Sequence, residues 1–200
     1  MKALIDGDIL CYSYGSLTDE EGRPLTWNLI VNHLNSRINS ICEAVGADEY
    51  VIFLTGKNNF RLKEATIKPY KGNRKDVEKP HSYERVKKYL MSGNPHPFEL
   101  CEDYEADDGM AMAQASEIEE GFEIWGTCIC SNDKDLRMVP GYHYSWPVGS
   151  KIKEKPMAWV TEEQGMKWFF TQLLTGDATD NILGLYRVGP KNAEKALHEL

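Results

Sequence analysis

Nine carboxylates fall in four short segments of this chain: Asp6 with Asp8, Glu105 with Asp107 and Asp108, Asp133 with Asp135, and Asp177 with Asp180. Removing those nine charges from the net −8 leaves +1, so these segments account for the acidity of the whole chain. Carboxylates brought together repel, and a hard divalent cation such as Mg²⁺ or Mn²⁺ offsets the repulsion through oxygen ligands. Two such ions about 4 Å apart can clamp the attacking and leaving oxygens of a phosphodiester and lower the pKa of a bound water. That chemistry needs acids converging from separate segments, because one strand cannot surround two ions. Each segment alone has a plainer reading. Asp6-Gly7-Asp8 suits a turn, Glu105 to Asp108 a helix N-terminus, Asp133 to Asp135 a solvated loop, and Asp177 or Asp180 a helix cap. The plainer reading must hold four times over, and it gives no reason for acids at strand ends.

The elements that must position these acids are legible. Ala3-Leu4-Ile5 reads as a strand delivering Asp6 at its carboxyl end. Thr26 precedes a helix whose apolar stripe runs Ile30, Leu34, Ile38, Ile41 and Val45, with Gly46 as its stop. Residues 50–54 form a β-rich run without polar alternation, as expected of a strand buried on both faces. Glu105 to Glu120 reads as a helix stopped at Gly121. Thr127 to Cys130 is a strand ending at the Asp133 segment, and Tyr142 to Trp146 a short strand. Thr161 with Gln164 forms a capping box, after which Met166, Phe169, Phe170, Leu173 and Leu174 share a helical face. Pro190 opens a last helix, Lys191 to Leu200. Strands alternating with helices predict an α/β fold with a mostly parallel sheet, whose sites form beyond the strands' carboxyl ends.

Charge is unevenly spread. Residues 57 to 88 hold eleven Lys or Arg against four acids, a local +7, leaving −15 on the other 168 residues. Pro69, Gly72 and Pro80 break this segment into loop and short helices. A basic segment against an acidic body suits a polyanionic partner, and equally a solvated face.

Composition excludes other classes. With 42% hydrophobic and 10% aromatic residues, disorder and fibrous repeats do not fit. No apolar run reaches the roughly 18 residues of a membrane span, and Asp6 comes too early for a signal peptide. Five cysteines without a C-x-x-C pair suit reduced thiols in a cytosolic compartment, with Cys128 and Cys130 as packing residues. No P-loop motif occurs, and the five histidines are scattered.

The order of six motifs is distinctive. Ile5-Asp6-Gly7-Asp8 is followed by Tyr70-Lys71-Gly72-Asn73-Arg74, Glu105-Ala106-Asp107-Asp108 and Asp133-Lys134-Asp135. Gly176-Asp177-Ala178-Thr179-Asp180-Asn181-Ile182 and Val188-Gly189-Pro190-Lys191 complete it. The set resembles the flap-endonuclease / 5′-to-3′ exonuclease family, which includes bacteriophage exonucleases and the N-terminal nuclease domain of bacterial DNA polymerase I. The resemblance spans residues 3 to about 196. It implies a PIN-like nuclease domain over residues 1–175 with a basic helical arch at about 57–95. The start of a helix-three-turn-helix element is expected over 176–200, cut short at Leu200.

By that resemblance Asp6, Glu105, Asp107 and Asp133 bind a first Mg²⁺ or Mn²⁺, and Asp135, Asp177 and Asp180 bind or organise a second. Asp108 assists through water. Lys71 and Arg74 contact the scissile phosphate, and Arg61 and Lys75 add DNA contacts; Tyr70 stacks on a terminal base or, as an aromatic in a basic segment equally does, simply packs. Gly184, Gly189 and Lys191 grip duplex backbone, with a bound K⁺. The implied partner is DNA with 5′ ends, flaps or single-stranded tails; no membrane partner is expected, and the chain is expected to be a monomer in a bacterial or phage-infected cytoplasm.

One departure is local: the family has an aspartate after the second strand, and here Thr55-Gly56-Lys57-Asn58-Asn59 holds no acid, leaving Asn58 as a stand-in. Two other readings share the acidic cluster. One is a PIN-type ribonuclease, which has no need of Gly184 to Lys191; the other is a DNA-binding module that has lost catalysis.

Overall fold

The computed structural model describes residues 1–74, 77–93, 95–119 and 126–198. Its centre is a six-stranded sheet in the order β3-β2-β1-β4-β5-β6. The strands are β1 Lys2–Asp6, β2 Glu49–Thr55, β3 Phe98–Cys101, β4 Thr127–Cys130, β5 Gly141–Ser145 and β6 Lys155–Val160. Every pairing is parallel except β5 with the edge strand β6. Strand order reverses direction at β1, with β2 on one side and β4 on the other. A crevice therefore opens beyond the carboxyl ends of these three strands, where ligands bind in such sheets.

The central strands lack polar alternation because both faces are covered. Ala3, Ile5, Ile52, Leu54, Cys128 and Cys130 face one apolar core, while Leu4, Phe53 and Ile129 face the other. The first core is closed by α1 Gly7–Gly15, α2 Trp27–Val45 and α4 Tyr83–Leu90, and the second by α5 Ala106–Glu119. The expected stripe from Ile30 to Val45 is buried, and Gly46 ends α2 in the left-handed conformation at φ 62°. Thr26 stands at the N-cap of α2 without a side-chain capping bond. Cys128 and Cys130 are buried packing residues, and all five cysteines are free thiols.

Other expectations meet the structure less simply. The basic segment holds the short helix α3 Arg61–Glu64, a 3₁₀ turn at Gly72–Arg74, and α4, which buries Tyr83, Val86 and Leu90 against the core. Its Glu84, Arg85, Lys87 and Lys88 concealed that apolar face. Helix α6, Glu162–Thr175, begins with the expected capping box of Thr161 and Gln164. Its apolar face does not enter the core, and Met166, Phe169, Phe170 and Leu173 stay exposed. A two-stranded hairpin, β7 Gly176–Asp177 and β8 Ile182–Leu183, follows, then α7 Pro190–His198, which packs on α6. The expected helix stop at Gly121 lies outside the described residues. Among the described residues no helix is long and apolar enough to cross a membrane.

Helix α1 follows β1 without a loop, and Gly7 makes this possible. A Cβ there would lie 2.6 Å from both the Phe53 carbonyl oxygen and Ile52 Cγ2. Gly7→Ala must therefore force α1 off the sheet. It is expected to destabilise the fold by about 1–3 kcal/mol, read as a lower urea midpoint with an unchanged slope.

Candidate active site

Each acidic segment reaches the crevice on its own element. Asp6 ends β1 and caps α1, accepting the Ile9 amide at 3.0 Å. Asp133 and Asp135 follow β4, Asp107 and Asp108 lie in the first turn of α5, and Asp177 and Asp180 flank the turn of the β7–β8 hairpin. Glu105, Asp107, Asp108, Asp133, Asp135, Asp177 and Asp180 line one cavity of about 690 Å³, together with Arg61, Tyr70, Lys71 and Arg74. Asp6 lies behind it, 2% exposed, with its charge felt at Asp107.

Two residues absent from the sequence expectations fasten the floor. Ser131 donates to Asp6 at 2.7 Å while accepting the Asp133 amide at 2.9 Å, tying the acids of β1 and β4 together. Thr55 donates its amide to Asp8 at 3.3 Å and accepts the Ala106 amide on its hydroxyl at 2.9 Å, tying β2 to the start of α5. A third, Gln172 of α6, donates to Asp135. Serine, threonine and glutamine in loops and helix ends carry no spacing signal, so only the fold reveals them.

Electrostatics divides the acids into two groups. Burial, then Asp8 and Asp133, push the Asp6 carboxyl up to about 7. Burial, then Asp6, Asp133 and Glu105, push Asp107 well above the carboxylate range. Asp135 is also raised, by burial and then Asp133. Glu105, Asp108, Asp177 and Asp180 instead have a cationic side chain at hand. Burial raises Asp177, but the Lys134 ammonium at 2.8 Å and the Thr179 amide bring it below its ordinary value. Burial likewise opposes, and the bidentate Arg61 guanidinium at 2.5 and 2.7 Å outweighs, at Asp108. Lys71 donates to Glu105 at 2.7 Å, and Arg74 lies 3.6 Å from Asp180.

Of the two readings of Tyr70, packing describes its surroundings. Its ring is buried, and its hydroxyl donates between Glu105 at 2.7 Å and Asp180 at 2.9 Å. Burial, then these two carboxylates, raise its pKa far out of reach. The same short stretch is docked on the hairpin turn. The Lys71 amide donates to the Asp180 carbonyl at 3.1 Å, and Asn73 and Asn181 add side-chain bonds at 2.8 and 3.0 Å. Lys71 itself sits at φ 51°, a strained conformation for a lysine costing on the order of 1 kcal/mol, which aims its ammonium at Glu105.

Other expected residues lie elsewhere. Gly184 packs where a Cβ would fall 2.2 Å from the Thr175 carbonyl carbon, so its bareness lets the chain leaving β8 pass close to the end of α6. Gly189 is open on its Cβ side, and Lys191 is exposed in the first turn of α7. Lys75 lies outside the described residues. In the 55–59 stretch, where the family's aspartate is missing, Gly56 is crowded: a Cβ there would meet the Glu102 carboxylate at 2.7 Å and the Cys101 carbonyl at 2.8 Å. Asn58 is exposed on the loop.

Among the described residues, no three acidic, histidine or cysteine side chains stand together as a finished cage for an ion. The donor chemistry nevertheless fits a hard divalent cation. Every candidate ligand is a carboxylate, and Asp6, Asp107 and Asp135 are raised in part by their neighbours' charge, which a cation would reverse.

No family model matches the chain. By sequence it is 30% identical to DNA polymerase I of Bacillus subtilis over 74% of this chain and 17% of that protein. It is 28% identical to DNA polymerase I of Streptococcus pneumoniae over 86% and 19%, and 36% identical to the thermostable DNA polymerase I of Thermus aquaticus over 48% and 11%. The chain thus spans less than a fifth of the length of these relatives. Among solved structures, the zinc-bound 5′-exonuclease of bacteriophage T5 superposes with a TM-score of 0.71 at 19% identity, over 100% of this chain and 75% of that one. The catalytic core of Rad2 in complex with DNA substrate gives 0.60 at 17% identity, over 99% and 60%. The fold is that of the 5′-exonucleases and flap endonucleases. The resemblance carried by the six motifs is borne out, and so is the expected α/β fold with its mostly parallel sheet.

The raised acids have a consequence for stability. A folded-state carboxyl pKa above its unfolded value means that the folded state binds the extra proton. Stability therefore falls as pH rises from the ordinary carboxylate value to about 7, the value for Asp6. Asp107→Asn removes one repelling charge. In chelator at pH 8 it is expected to raise the melting temperature by about 2–6 °C, and to raise it far less at pH 5. An equal or lower melting temperature at pH 8 would contradict the assigned repulsion.

Proposed function

We propose that this chain is a divalent-metal-dependent 5′-to-3′ exonuclease, with flap endonuclease activity, acting on DNA phosphodiester bonds. The observation that carries the reading is the convergence of four acidic segments on one cavity that also holds Lys71 and Arg74. Relatives named DNA polymerase I, and neighbours described as a flap endonuclease with DNA and metal ions, support it.

In this proposal Asp6, Glu105, Asp107 and Asp133 hold a first Mg²⁺ or Mn²⁺, and Asp135, Asp177 and Asp180 hold a second. When bound, such ions supply Lewis acidity and a nucleophile at neutral pH. The chain's own groups do the rest. Lys71 and Arg74 offset charge growing on the phosphate as the bond breaks. Tyr70 holds Glu105 and Asp180 in place, Lys134 keeps Asp177 ionised, and Arg61 keeps Asp108 turned to itself. Arg61 is therefore read as a support for the site, and Asp108 as its anchor. Gly189 and Lys191 take the duplex backbone, with K⁺ as the ion at that turn. The five free thiols suit the cytoplasm of a bacterial or phage-infected cell, where the chain would act as a monomer.

The test is Mg²⁺-dependent release of 5′ nucleotides from duplex DNA. Asp133→Asn is expected to lower the rate by at least about a hundredfold; full activity of that variant would sink the metal assignment. Preferential cleavage of single-stranded RNA over 5′-tailed DNA would favour the ribonuclease reading. Lys71→Ala is expected to lower kcat on 5′-tailed DNA by about 10²-fold, with a small change in KM.

A further inference from the structure

Helix α6 meets the domain with a different face from the one its apolar period implies. Met166, Phe169, Phe170 and Leu173 stay in water, while Gly165 is buried and Trp168 and Gln172 are half-buried. Residues spaced by three and four lie on one helical face. That face docks in antiparallel order on the 3₁₀ turn Asp135–Met138. A Cβ on Gly165 would fall 2.4 Å from the Met138 carbonyl oxygen, and the Arg137 guanidinium carbon sits 5.3 Å from the centre of the Trp168 ring. Gln172 closes the row by donating its amide to Asp135.

Packing alone does not account for a glutamine at the end of this row. Its Nε2 is committed to Asp135, and its buried Oε1 has no hydrogen-bond partner among the described residues. An unbonded buried amide oxygen is a cost that leucine or methionine at the same place avoids. What the glutamine adds is its bond to Asp135. The bond matters because α6 runs directly into the β7–β8 hairpin. Gln172 stands five positions before Asp177, on the element that delivers Asp177 and Asp180, and reaches an acid that follows β4. Lys134 also links the two segments, 2.8 Å from Asp177 and 3.9 Å from Asp135, but on a flexible side chain that is 43% exposed.

Resting on the nuclease reading, we infer that Gln172 is a positioning residue for the second cation, holding Asp135 at a fixed place relative to Asp177 and Asp180. Asp6 and Glu105, assigned to the first cation, are oriented by other groups: the Ile9 amide and Ser131 for Asp6, Tyr70 and Lys71 for Glu105. Loss of the Gln172 bond thus acts on one ion and spares the other. Removing a partner that orients a metal ligand typically lowers metal affinity by about 10–100-fold.

Mn²⁺ titration of the DNA-free chain, followed by electron paramagnetic resonance, tests this without turnover. Wild type is expected to take up two classes of ion, with a spin-coupled signal from the pair; Asp135→Asn marks which class is the second. Gln172→Met keeps the shape and loses the donor. It should weaken that class at least about tenfold, remove the coupled signal and leave the other class unmoved. Its urea midpoint should equal or exceed that of wild type, because an unbonded buried oxygen has gone. Trp168→Phe keeps a docked ring and should bind both ions as wild type does. On 5′-tailed DNA, Gln172→Met should lose kcat at low Mg²⁺ and regain it at high Mg²⁺. Weakening of both classes, or a lower urea midpoint accompanying the loss, would make Gln172 a structural residue and overturn the inference. Mn²⁺ binding that Gln172→Met leaves unmoved would also overturn it, and persisting Mg²⁺-dependent cleavage would then leave the nuclease reading intact. The expected Mn²⁺ response in a chain that cleaves no DNA would keep the positioning role and overturn the nuclease reading.

Discussion

Carboxylates that repel one another at the end of a buried sheet set the terms for the rest of this molecule. Among the described residues no ion pair reaches Asp6, Asp107 or Asp133, whereas Glu105, Asp108, Asp177 and Asp180 each have a cation at hand. The cluster thus has four acids neutralised by protein groups and three that are not, of which Asp133 is exposed to water. Desolvation makes Asp6 and Asp107 costly, since a buried charge without a partner is among the least favourable arrangements a fold can hold. The two apolar cores on either side of β1 must supply enough stability to carry it. The close seating of α1 on Gly7 is part of the same constraint, because it fixes Asp6 at the strand end and gives its carboxylate the Ile9 amide.

The neutralised acids explain why the basic segment lies where it does. Tyr70, Lys71 and Arg74 come from one short stretch, and each meets an acid of a different segment or shares one. Main-chain and side-chain bonds from 69–73 to 178–181 lock that stretch on the hairpin turn. A lysine held at φ 51° is tolerated because these contacts over-determine it. The Tyr70–Asp180 bond joins residues 110 apart in sequence, so the site closes only when the whole domain has folded.

Much of this was legible before any coordinates. Period and turn chemistry located β1, α2, β2, β4, α5 and the capping box of α6, because burial on one or both faces leaves a direct trace in residue order. The acids were legible because their spacing at strand and helix ends is what converging ligands require. What escaped depends on tertiary contact. The face of α4 is masked by its charged residues, and β3 is only four residues long. Stacking and packing stayed equally open for Tyr70, since an aromatic in a basic segment gives no sign of a buried hydroxyl. Ser131 and Thr55 have ordinary side chains whose importance lies in what stands opposite them. The apolar stripe of α6 has the correct period for a core helix, yet period alone does not say whether a face meets the interior or a cavity wall.

On the proposed function, the division of charge would also couple the two ligands, a divalent cation and a phosphate. A polyanion approaching Lys71 and Arg74 meets Asp107, Asp133 and Asp135 in the same cavity, so attraction and repulsion act within one Debye length of each other. A divalent cation bound among those acids removes the repulsion and so strengthens the binding of phosphate. By linkage, the phosphate must strengthen the binding of the cation by the same factor. Lys71 adds a further term, because the ammonium now engaged by Glu105 must loosen that contact to reach a phosphate. On the proposed function, a cation that took over Glu105 would free Lys71 at the same moment. The ion pair between Lys71 and Glu105 would then be the resting arrangement of two groups whose working partners are, respectively, an anion and a cation.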